Sequence, residues 1–321
     1  MKIFFVGYLK GHFIEQDKKL LEEDHQLTGA FDLYKNSSAF RQTPSYLIKS
    51  LKEWRNIWRS DVVWIWYADY PALPFIVLAK LFKKKIIINV GGWEVYSAPE
   101  ISYGNQLNPI RGAVTRWILR NADRCIVMSN AYKKLINAVE PKAFVLVMPG
   151  WIDQKYCETP LPETKKGVVT ALCTYRFTNV LKGIPVFKEA TQGMDAKVIE
   201  NIPHEDLMEL LRHTKVYCQL SYTESFGMTL LEAMACGCVP VVTNRDALPE
   251  VVGDCGVVIP YGDVNATQHA IGFAMMMDGN NARERAKMFT KEKKQAQVNM
   301  MLSRLLPNKM QIQGRGVKNE S

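Results

Sequence analysis

The sequence of 321 residues has no internal repeat, no low-complexity tract and no uninterrupted hydrophobic run long enough to cross a membrane. Charged residues and prolines interrupt its most apolar stretch, residues 62–82, at Asp69, Pro71, Pro74 and Lys80. Residues 2–7 are a short apolar strand segment, unlike the hydrophobic region of a signal peptide. We therefore expect residues 62–82 to form a core strand and helix, and the protein to be cytoplasmic.

Cysteine is also scarce, with 7 residues scattered along the chain. Cys236 and Cys238 lie between a predicted helix end and a predicted strand start, and no further metal ligands accompany them. An odd, scattered set of this kind indicates reduced thiols of a cytosolic protein rather than a disulfide framework. We expect no metal site.

The length and composition indicate two α/β domains. A chain of 321 residues with 47% hydrophobic and 23% charged residues can bury two separate cores. The first half alternates predicted helices, at 18–24 and 46–58, with predicted strands at 2–7, 62–67, 86–90, 124–128 and 144–147. We expect the last residues, 307–321, to be a disordered polar tail.

The net charge of +9 belongs mostly to the first half, where residues 1–150 contain 21 Lys and Arg against 13 Asp and Glu. Lys80 and Lys83–Lys85 follow an apolar segment, and Arg116, Arg120 and Arg124 recur at helical spacing and predict one helix stripe. Such runs are either a solvated face or a surface for anionic lipid headgroups or a polyprenyl-phosphate acceptor. No nucleic-acid-binding motif accompanies the charge, so we expect no nucleic-acid partner.

The most informative segment is the nonapeptide 224–232. The apolar run 216–220 before it predicts a strand, and Gly237 ends the helix that follows. Glu224 is therefore expected at the carboxyl edge of a parallel sheet, where open α/β folds bind ligands. The helix N-terminus can hold an anion, and Thr229 shares a helix face with Glu232. The alternative is that Glu224 caps the helix and Glu232 is a solvated surface residue.

This region resembles the retaining glycosyltransferases of family 4, which have the GT-B fold. Their signature, E-x-F-G-x-x-x-x-E followed by A-x-A-x-G-x-P-V, is matched by Glu224 to Glu232 and then by residues 233–241. The resemblance implies that Glu224 holds hydroxyls of the transferred sugar and that Glu232 binds the ribose. It also implies that the loop and helix start contact the donor, through Ser225, Phe226, Gly227, Met228 and Thr229.

A second element of the family precedes this segment. Arg176 follows a predicted strand at 168–173, and Lys182 with Gly183 opens a helix. By resemblance, Arg176 and Lys182 stabilise the departing diphosphate. Arg176 offers it a planar guanidinium fork, and Lys182 offers a point charge. The family has a glycine where Tyr175 stands here.

Three further positions follow from the resemblance. Gly11 lies in the glycine-containing loop that approaches the donor phosphates or the acceptor, while Ile202 and His204 lie where the family holds the nucleotide base. His204 also fits an ordinary helix start. Gly91 stands where many members have a histidine, so no histidine is assigned there; Glu94 is expected to face the cleft. Trp93 and Tyr96 suit either sugar stacking or core packing.

The resemblance implies a GT-B fold, with two Rossmann-like domains facing across a cleft. Residues 1–149 would form the acceptor domain, 150–286 the donor domain, and 287–306 a helix returning to the first domain. The implied activity is retaining, metal-independent transfer from a UDP- or GDP-sugar to a hydroxyl of a glycan, lipid-linked sugar or glycolipid. No cofactor is expected. From the basic first half we also expect peripheral contact with the inner face of an anionic membrane.

Two other interpretations remain open. A GT-B relative could act on nucleotide sugars without an acceptor, as an epimerase or phosphorylase, although no convincing set of additional acid–base residues is found in the sequence. A basic lipid- or nucleic-acid-binding protein with a decayed donor site would not need Glu224, Glu232, Arg176 and Lys182.

Overall fold

The computed structural model describes residues 1–9, 12–33, 43–172 and 178–307, with the backbone alone at 12, 43–46, 171, 172 and 178. The chain divides into two compact units. The first contains Met1–Val127, Lys133–Met148 and the chain from Gln295 onward. The second contains Met128–Tyr132 and Pro149–Lys294.

The first unit is built on a six-stranded parallel sheet with the order β2-β1-β3-β4-β5-β6. The central strand β3 is buried along its whole length, as expected for a strand covered on both faces. The strands are β1 (Lys2–Gly7), β2 (Gln26–Asp32), β3 (Val62–Trp66), β4 (Lys85–Asn89), β5 (Arg124–Val127) and β6 (Val145–Val147).

Helices connect these parallel strands, as parallel pairing requires. The α-helices are α1 (His12–Asp24), α2 (Thr43–Lys52), α3 (Trp54–Arg59), α4 (Leu73–Leu81) and α5 (Pro109–Asn121). Three-residue 3-10 helices lie at Tyr70–Ala72, Pro99–Ile101 and Asn105–Leu107. Asn108 caps α5 by accepting hydrogen bonds from the backbone of Ile110 and Arg111, and Pro109 fits the first turn.

The second unit has a five-stranded parallel sheet with the order β11-β10-β9-β7-β8. Its strands are β7 (Lys166–Leu172), β8 (Ala196–Glu200), β9 (Thr214–Gln219), β10 (Val239–Thr243) and β11 (Val257–Ile259). Two helices contain residues of both units, α6 (Asn130–Val139) and α15 (Lys291–Leu305). The others are α7 (Gln154–Glu158), α8 (Thr178–Leu181), α9 (Ile184–Ala190), α10 (His204–His213), α11 (Met228–Ala235), α12 (Leu248–Val252), α13 (Val264–Met276) and α14 (Asn280–Ala286).

Helix α11 lies at the centre of the second unit. Every residue from Leu230 to Ala235 is buried, and the cluster around it includes residues of α10, α12 and α14. A helix this buried cannot shift without opening cavities in a close-packed interior. The loop before it is therefore held at a fixed place on the sheet edge.

The five strands expected in the first half are present within one residue at each end. Residues 62–82 fold as β3 followed by α4, as the interrupted apolar pattern predicts. Among the described residues, no helix combines the length and apolar character needed to span a membrane.

The predicted stripe of three arginines is wrong. Arg116 and Arg120 lie on α5, but that helix ends at Asn121 and Arg124 begins β5. The guanidinium of Arg124 lies 4.0 Å from the ring centroid of Phe144 and donates to the carbonyl of Asp123. Arg120 donates to the buried Glu140, at 2.7 Å. The spacing of four continued past the helix end by coincidence.

The six cysteines among the described residues are all buried: Cys125, Cys157, Cys218, Cys236, Cys238 and Cys255. Burial raises the pKa of the Cys236 thiol to about 12 and that of Cys238 to about 11. The Cys238 Sγ donates to the backbone carbonyls of Leu211 and Thr214 at 3.1 and 3.3 Å. These thiols are packing residues of the core.

Candidate active site

The second unit brings Glu224 and Lys182 together, although 42 residues separate them in the chain. The Nζ of Lys182 lies 2.5 Å from Oε2 of Glu224. The two side chains are only 17% and 15% exposed, so this ion pair is better shielded from water than an ordinary surface pair. The loop at Glu224 therefore holds a cation and a carboxylate together in a partly buried setting.

Glu224 lies in the loop between β9 and α11, at the carboxyl edge of the sheet. Its Oε2 also accepts hydrogen bonds from Gln219 Nε2 at 3.2 Å and from Ser221 Oγ at 3.4 Å. Gln219 is the last residue of β9 and is itself buried. The carboxylate is therefore oriented by the end of the strand before it.

Lys182 reaches this carboxylate because Gly183 allows a close turn against the end of β9. Gly183 has a φ of 68°, in the left-handed region, and caps helix α9. A Cβ added there would lie 2.1 Å from the carbonyl oxygen of Leu220. The backbone of Tyr222 donates to the carbonyl of Leu181 at 2.7 Å, which ties the same turn to the loop after β9.

The start of α11 provides backbone donors next to Glu224. The helix begins at Met228, after Gly227 with a φ of 91°. The first N–H groups of a helix lack partners within it and lie at the positive end of its dipole. Phe226 is buried and packs edge-on against Phe289, while Ser225 and Thr229 are half-buried. The backbone here is anchored by one aromatic side chain and offers an anion-binding helix start.

Asp246, which the sequence patterns did not single out, follows β10 and reaches the same edge. Its Oδ2 accepts hydrogen bonds from Thr223 Oγ1 and, at 3.3 Å, from the backbone of Glu224. The hydroxyls of Thr223 and Tyr132 are 2.8 Å apart in the buried interior. The only sequence signal for Asp246 was its position after a strand that neighbours β9, which is weak without a motif.

Glu232 lies within α11 and is 5% exposed, so it is not the solvated residue that the alternative interpretation required. Its Oε1 lies 3.0 Å from Nε2 of His204, the first residue of α10. The hydrogen bond to Glu232 raises the pKa of His204 above its usual value of 6.5. Ile202, two residues earlier, is 39% exposed. The structure thus places Glu232 next to His204. The resemblance had assigned Glu232 to the ribose and His204 to the base of one nucleotide.

The stability of this pair should depend on pH. Because the pKa of His204 is raised in the folded protein, the pair contributes fully below pH 6.5 and its contribution is lost as the pH rises through the raised value. We therefore expect the difference in unfolding free energy between the wild type and His204→Gln to shrink with rising pH. Urea unfolding from about pH 5 to pH 8 would measure it.

A matched control is present in the same unit. His213 and Glu209 are also 3.0 Å apart, but their side chains are 60% and 59% exposed. His213→Gln should change the unfolding free energy little at any pH, since exposed pairs contribute little. A difference for His204→Gln that grows with pH would contradict the assignment.

Two predicted site residues, Arg176 and Gly11, lie outside the described residues. Their assignments stay predictions.

The expectation that Glu94 faces a cleft is wrong. Glu94 is 1% exposed and accepts hydrogen bonds from the backbone of Gly92 at 2.8 Å and of Gly91 and Ala68 at 3.1 Å. Burial raises the pKa of its carboxyl group, an effect that the backbone donors oppose. Its role is to fix the loop after β4 inside the first unit.

Gly91, where the resemblance places a histidine in many members, lies against the ring of Tyr67. A Cβ on Gly91 would lie 2.3 Å from Cε1 of Tyr67, so a larger residue fits only if Tyr67 moves. Tyr67 follows β3 with a φ of 77°, rare for an aromatic residue, and its N–H donates to the carbonyl of Asn89 at 2.8 Å. Trp93 packs edge-on against Tyr103, donates a hydrogen bond from its indole N–H to Asn105 Oδ1 and is 38% exposed.

Within residues 1–9, 12–33, 43–172 and 178–307, no three His, Cys, Asp or Glu side chains are grouped as metal ligands would be.

Comparison with known proteins links this site to one enzyme class. Residues 188–296, which include Glu224 and Glu232, match the family model for glycosyl transferases group 1. The O-antigen chain mannosyltransferase B of Escherichia coli is 45% identical over 65 residues, or 20% of this chain and 17% of that protein. The N-acetyl-alpha-D-glucosaminyl L-malate synthase of Bacillus anthracis is 43% identical over 61 residues, or 18% and 16% of the two chains. The matched region thus spans less than a fifth of each of these relatives.

Solved structures resemble nearly the whole chain. Sucrose-phosphate synthase from Thermosynechococcus elongatus superposes with a TM-score of 0.78 at 15% identity, covering 96% of this chain and 99% of that one. Anabaena HepE in complex with UDP and glucose gives 0.69 at 14% identity, covering 94% and 99%. At these identities the likeness concerns the fold. The chain therefore has the GT-B fold of these solved structures, and its residues 188–296 match the group 1 glycosyl transferases.

Proposed function

We propose that this protein is a retaining, metal-independent glycosyltransferase that moves a hexosyl group from a nucleoside-diphosphate sugar to a hydroxyl acceptor. The observation that carries the proposal is the shielded Lys182–Glu224 pair, 2.5 Å apart, at the start of α11. It joins a cation, a carboxylate and a helix N-terminus at one sheet edge. These groups suit a diphosphate joined to a sugar.

The proposed division of roles follows the chemistry of each group. The amides from Phe226 to Thr229 hold the diphosphate, and Lys182, with Arg176, stabilises the charge that develops on it as the sugar departs. Glu224 accepts hydrogen bonds from hydroxyls of the transferred sugar. A diphosphate carries more negative charge than the Glu224 carboxylate, so the Lys182 ammonium would bind a donor diphosphate more strongly than it binds Glu224.

The bond changes need no protein nucleophile. The bond between the anomeric carbon and the phosphate oxygen breaks, and the acceptor oxygen bonds to that carbon on the same face. The departing diphosphate oxygen takes the acceptor's proton. The protein then acts by positioning and by charge stabilisation, which Lys182 and the helix start supply.

We assign the nucleoside to the pair of Glu232 and His204. The second Glu232 oxygen would accept hydrogen bonds from ribose hydroxyls, while His204 holds the carboxylate at 3.0 Å in one orientation. The backbone at Ile202 and His204 would lie against the base. HepE was solved with UDP. A UDP- or GDP-sugar is the proposed donor here.

The acceptor is assigned to the first unit. The basic charge of the first unit suits a lipid-linked sugar or glycolipid at the inner face of an anionic membrane. The protein is then a cytoplasmic enzyme with peripheral membrane contact.

A thermal-shift panel of nucleotide sugars tests the proposal. A donor at about a hundred times its Kd should stabilise the fold by roughly 2.7 kcal/mol and raise the Tm. Failure of every UDP-, GDP- and ADP-sugar to raise the Tm would contradict it. Consumption of the identified donor without any acceptor would instead favour an epimerase or phosphorylase.

A further inference from the structure

An apolar groove of about 680 Å³ lies between α4 and α5 of the first unit. The two helices bury their opposite faces, which include Phe75 and Ala79 on α4 and Ile118 and Leu119 on α5. The groove is lined by Leu73, Val77, Pro109, Ile110, Ala113, Val114 and Trp117.

Several large apolar side chains of this surface are exposed to solvent. Ile110 is 77% exposed, Val77 54% and Trp117 40%, and Leu81 at the end of α4 is 69% exposed. Single exposed apolar residues are common on protein surfaces, but a contiguous set along a groove marks a binding surface.

A basic pocket of about 370 Å³ is lined by residues at the C-terminal ends of the same two helices. Its charged residues are five cations and one carboxylate: Lys80, Lys83, Lys84, Lys85, Arg120 and Asp123. Lys85 pairs with Asp123 at 2.8 Å, and Arg120 pairs with Glu140 at 2.7 Å. The cations still outnumber the carboxylates, so the pocket carries net positive charge.

The groove and the pocket adjoin along the helices. Lys80 follows Val77 by three residues on α4, and Arg120 follows Trp117 by three on α5, so each pair shares a helix face. An apolar strip therefore continues into a cluster of cations on one face of the first unit.

We propose that this face, the groove together with the basic pocket, docks the protein on a bilayer containing anionic lipid. Its apolar side chains enter the boundary of the acyl chains, with Trp117 at the headgroup level, and its lysines contact lipid phosphates. The charge favours anionic lipid over a second copy as the occupant, because the same face of another copy carries the same excess of cations and so does not complement it. The inference rests on the proposed function, which places the acceptor at a membrane.

Vesicle co-sedimentation of the full chain tests the surface. Wild type should bind vesicles of phosphatidylcholine with phosphatidylglycerol and bind pure phosphatidylcholine weakly. The double variant Ile110→Ser, Trp117→Ser and the double variant Lys80→Gln, Lys83→Gln should each lower the partition coefficient about tenfold or more. Added salt should weaken wild-type binding, since it screens the lysines.

Matched controls come from the second unit. Phe273 and Met276 on α13 are 57% and 78% exposed, and Lys188 and Lys197 are exposed. Phe273→Ser with Met276→Ser, and Lys188→Gln with Lys197→Gln, should leave partitioning unchanged. Circular dichroism and the donor thermal shift should match wild type in every variant, which separates a failed surface from a failed donor site.

Two results would overturn the docking surface. One is vesicle binding that both groove and pocket variants retain. The other is an absence of vesicle binding together with a concentration-dependent dimer, seen by sedimentation velocity, that Ile110→Ser with Trp117→Ser dissociates. That second result would assign the face to another copy of this chain.

Discussion

Lys182→Ala is expected to lower the turnover number about 10²- to 10³-fold, the usual effect of removing one group that stabilises developing charge. The variant loses the cation proposed to meet the departing diphosphate. It also leaves Glu224, 15% exposed, without the lysine 2.5 Å away. Initial rates of transfer with the donor found by thermal shift would measure the effect.

Two further variants separate the geometry of the positive charge at residue 182 from its presence. Lys182→Arg keeps a cation at the site but replaces a compact ammonium with a planar fork, so we expect an intermediate rate. Lys188→Ala removes an exposed lysine from α9 in the same unit and should leave turnover unchanged. Near-normal turnover in folded Lys182→Ala would exclude Lys182 from the diphosphate site.

Gly183→Ala is expected to lower the free energy of unfolding by about 3 kcal/mol. An alanine pays roughly 1–2 kcal/mol to hold the left-handed φ of 68°. Its Cβ would also meet the carbonyl oxygen of Leu220 at 2.1 Å, so the turn or the end of β9 must shift. Because this turn carries Lys182, the turnover number should fall as well. Urea unfolding followed by circular dichroism gives the first quantity.

Gly193→Ala isolates the contribution of backbone strain. Gly193 has a φ of 78°, close to that of Gly183, but a Cβ there has no neighbour within 4 Å. It should cost only the roughly 1–2 kcal/mol of the left-handed conformation. Equal losses for the two variants would show that the contact with Leu220 contributes nothing.

Much of the second unit could be predicted from local sequence. The strand, loop and helix around Glu224 follow from an apolar run, a glycine and a second apolar run, all signals within one segment. The helix end at Gly237 and the strand start after Cys238 were predicted in the same way. The edge strand β2 was missed, because its residues are mostly half-exposed and Gly29 interrupts any alternation.

The pairings within the site could not be predicted by spacing. Lys182 and Glu224 meet only because β7 and β9 are neighbours in the sheet, and that order is set by long-range packing. Asp246 reaches the site from β10 for the same reason. Glu94 was misplaced because the family resemblance put it at a cleft, whereas three backbone donors make it a buried anchor of a loop.

The buried cysteines can report how often each unit of the protein opens. A thiol whose pKa is raised by burial reacts with an alkylating reagent only when its surroundings open. With Cys173, which lies outside the described residues, changed to serine, five reporters remain in the second unit and Cys125 alone in the first. Labelling rates read by mass spectrometry would then time the opening of each unit separately, with and without a nucleotide sugar.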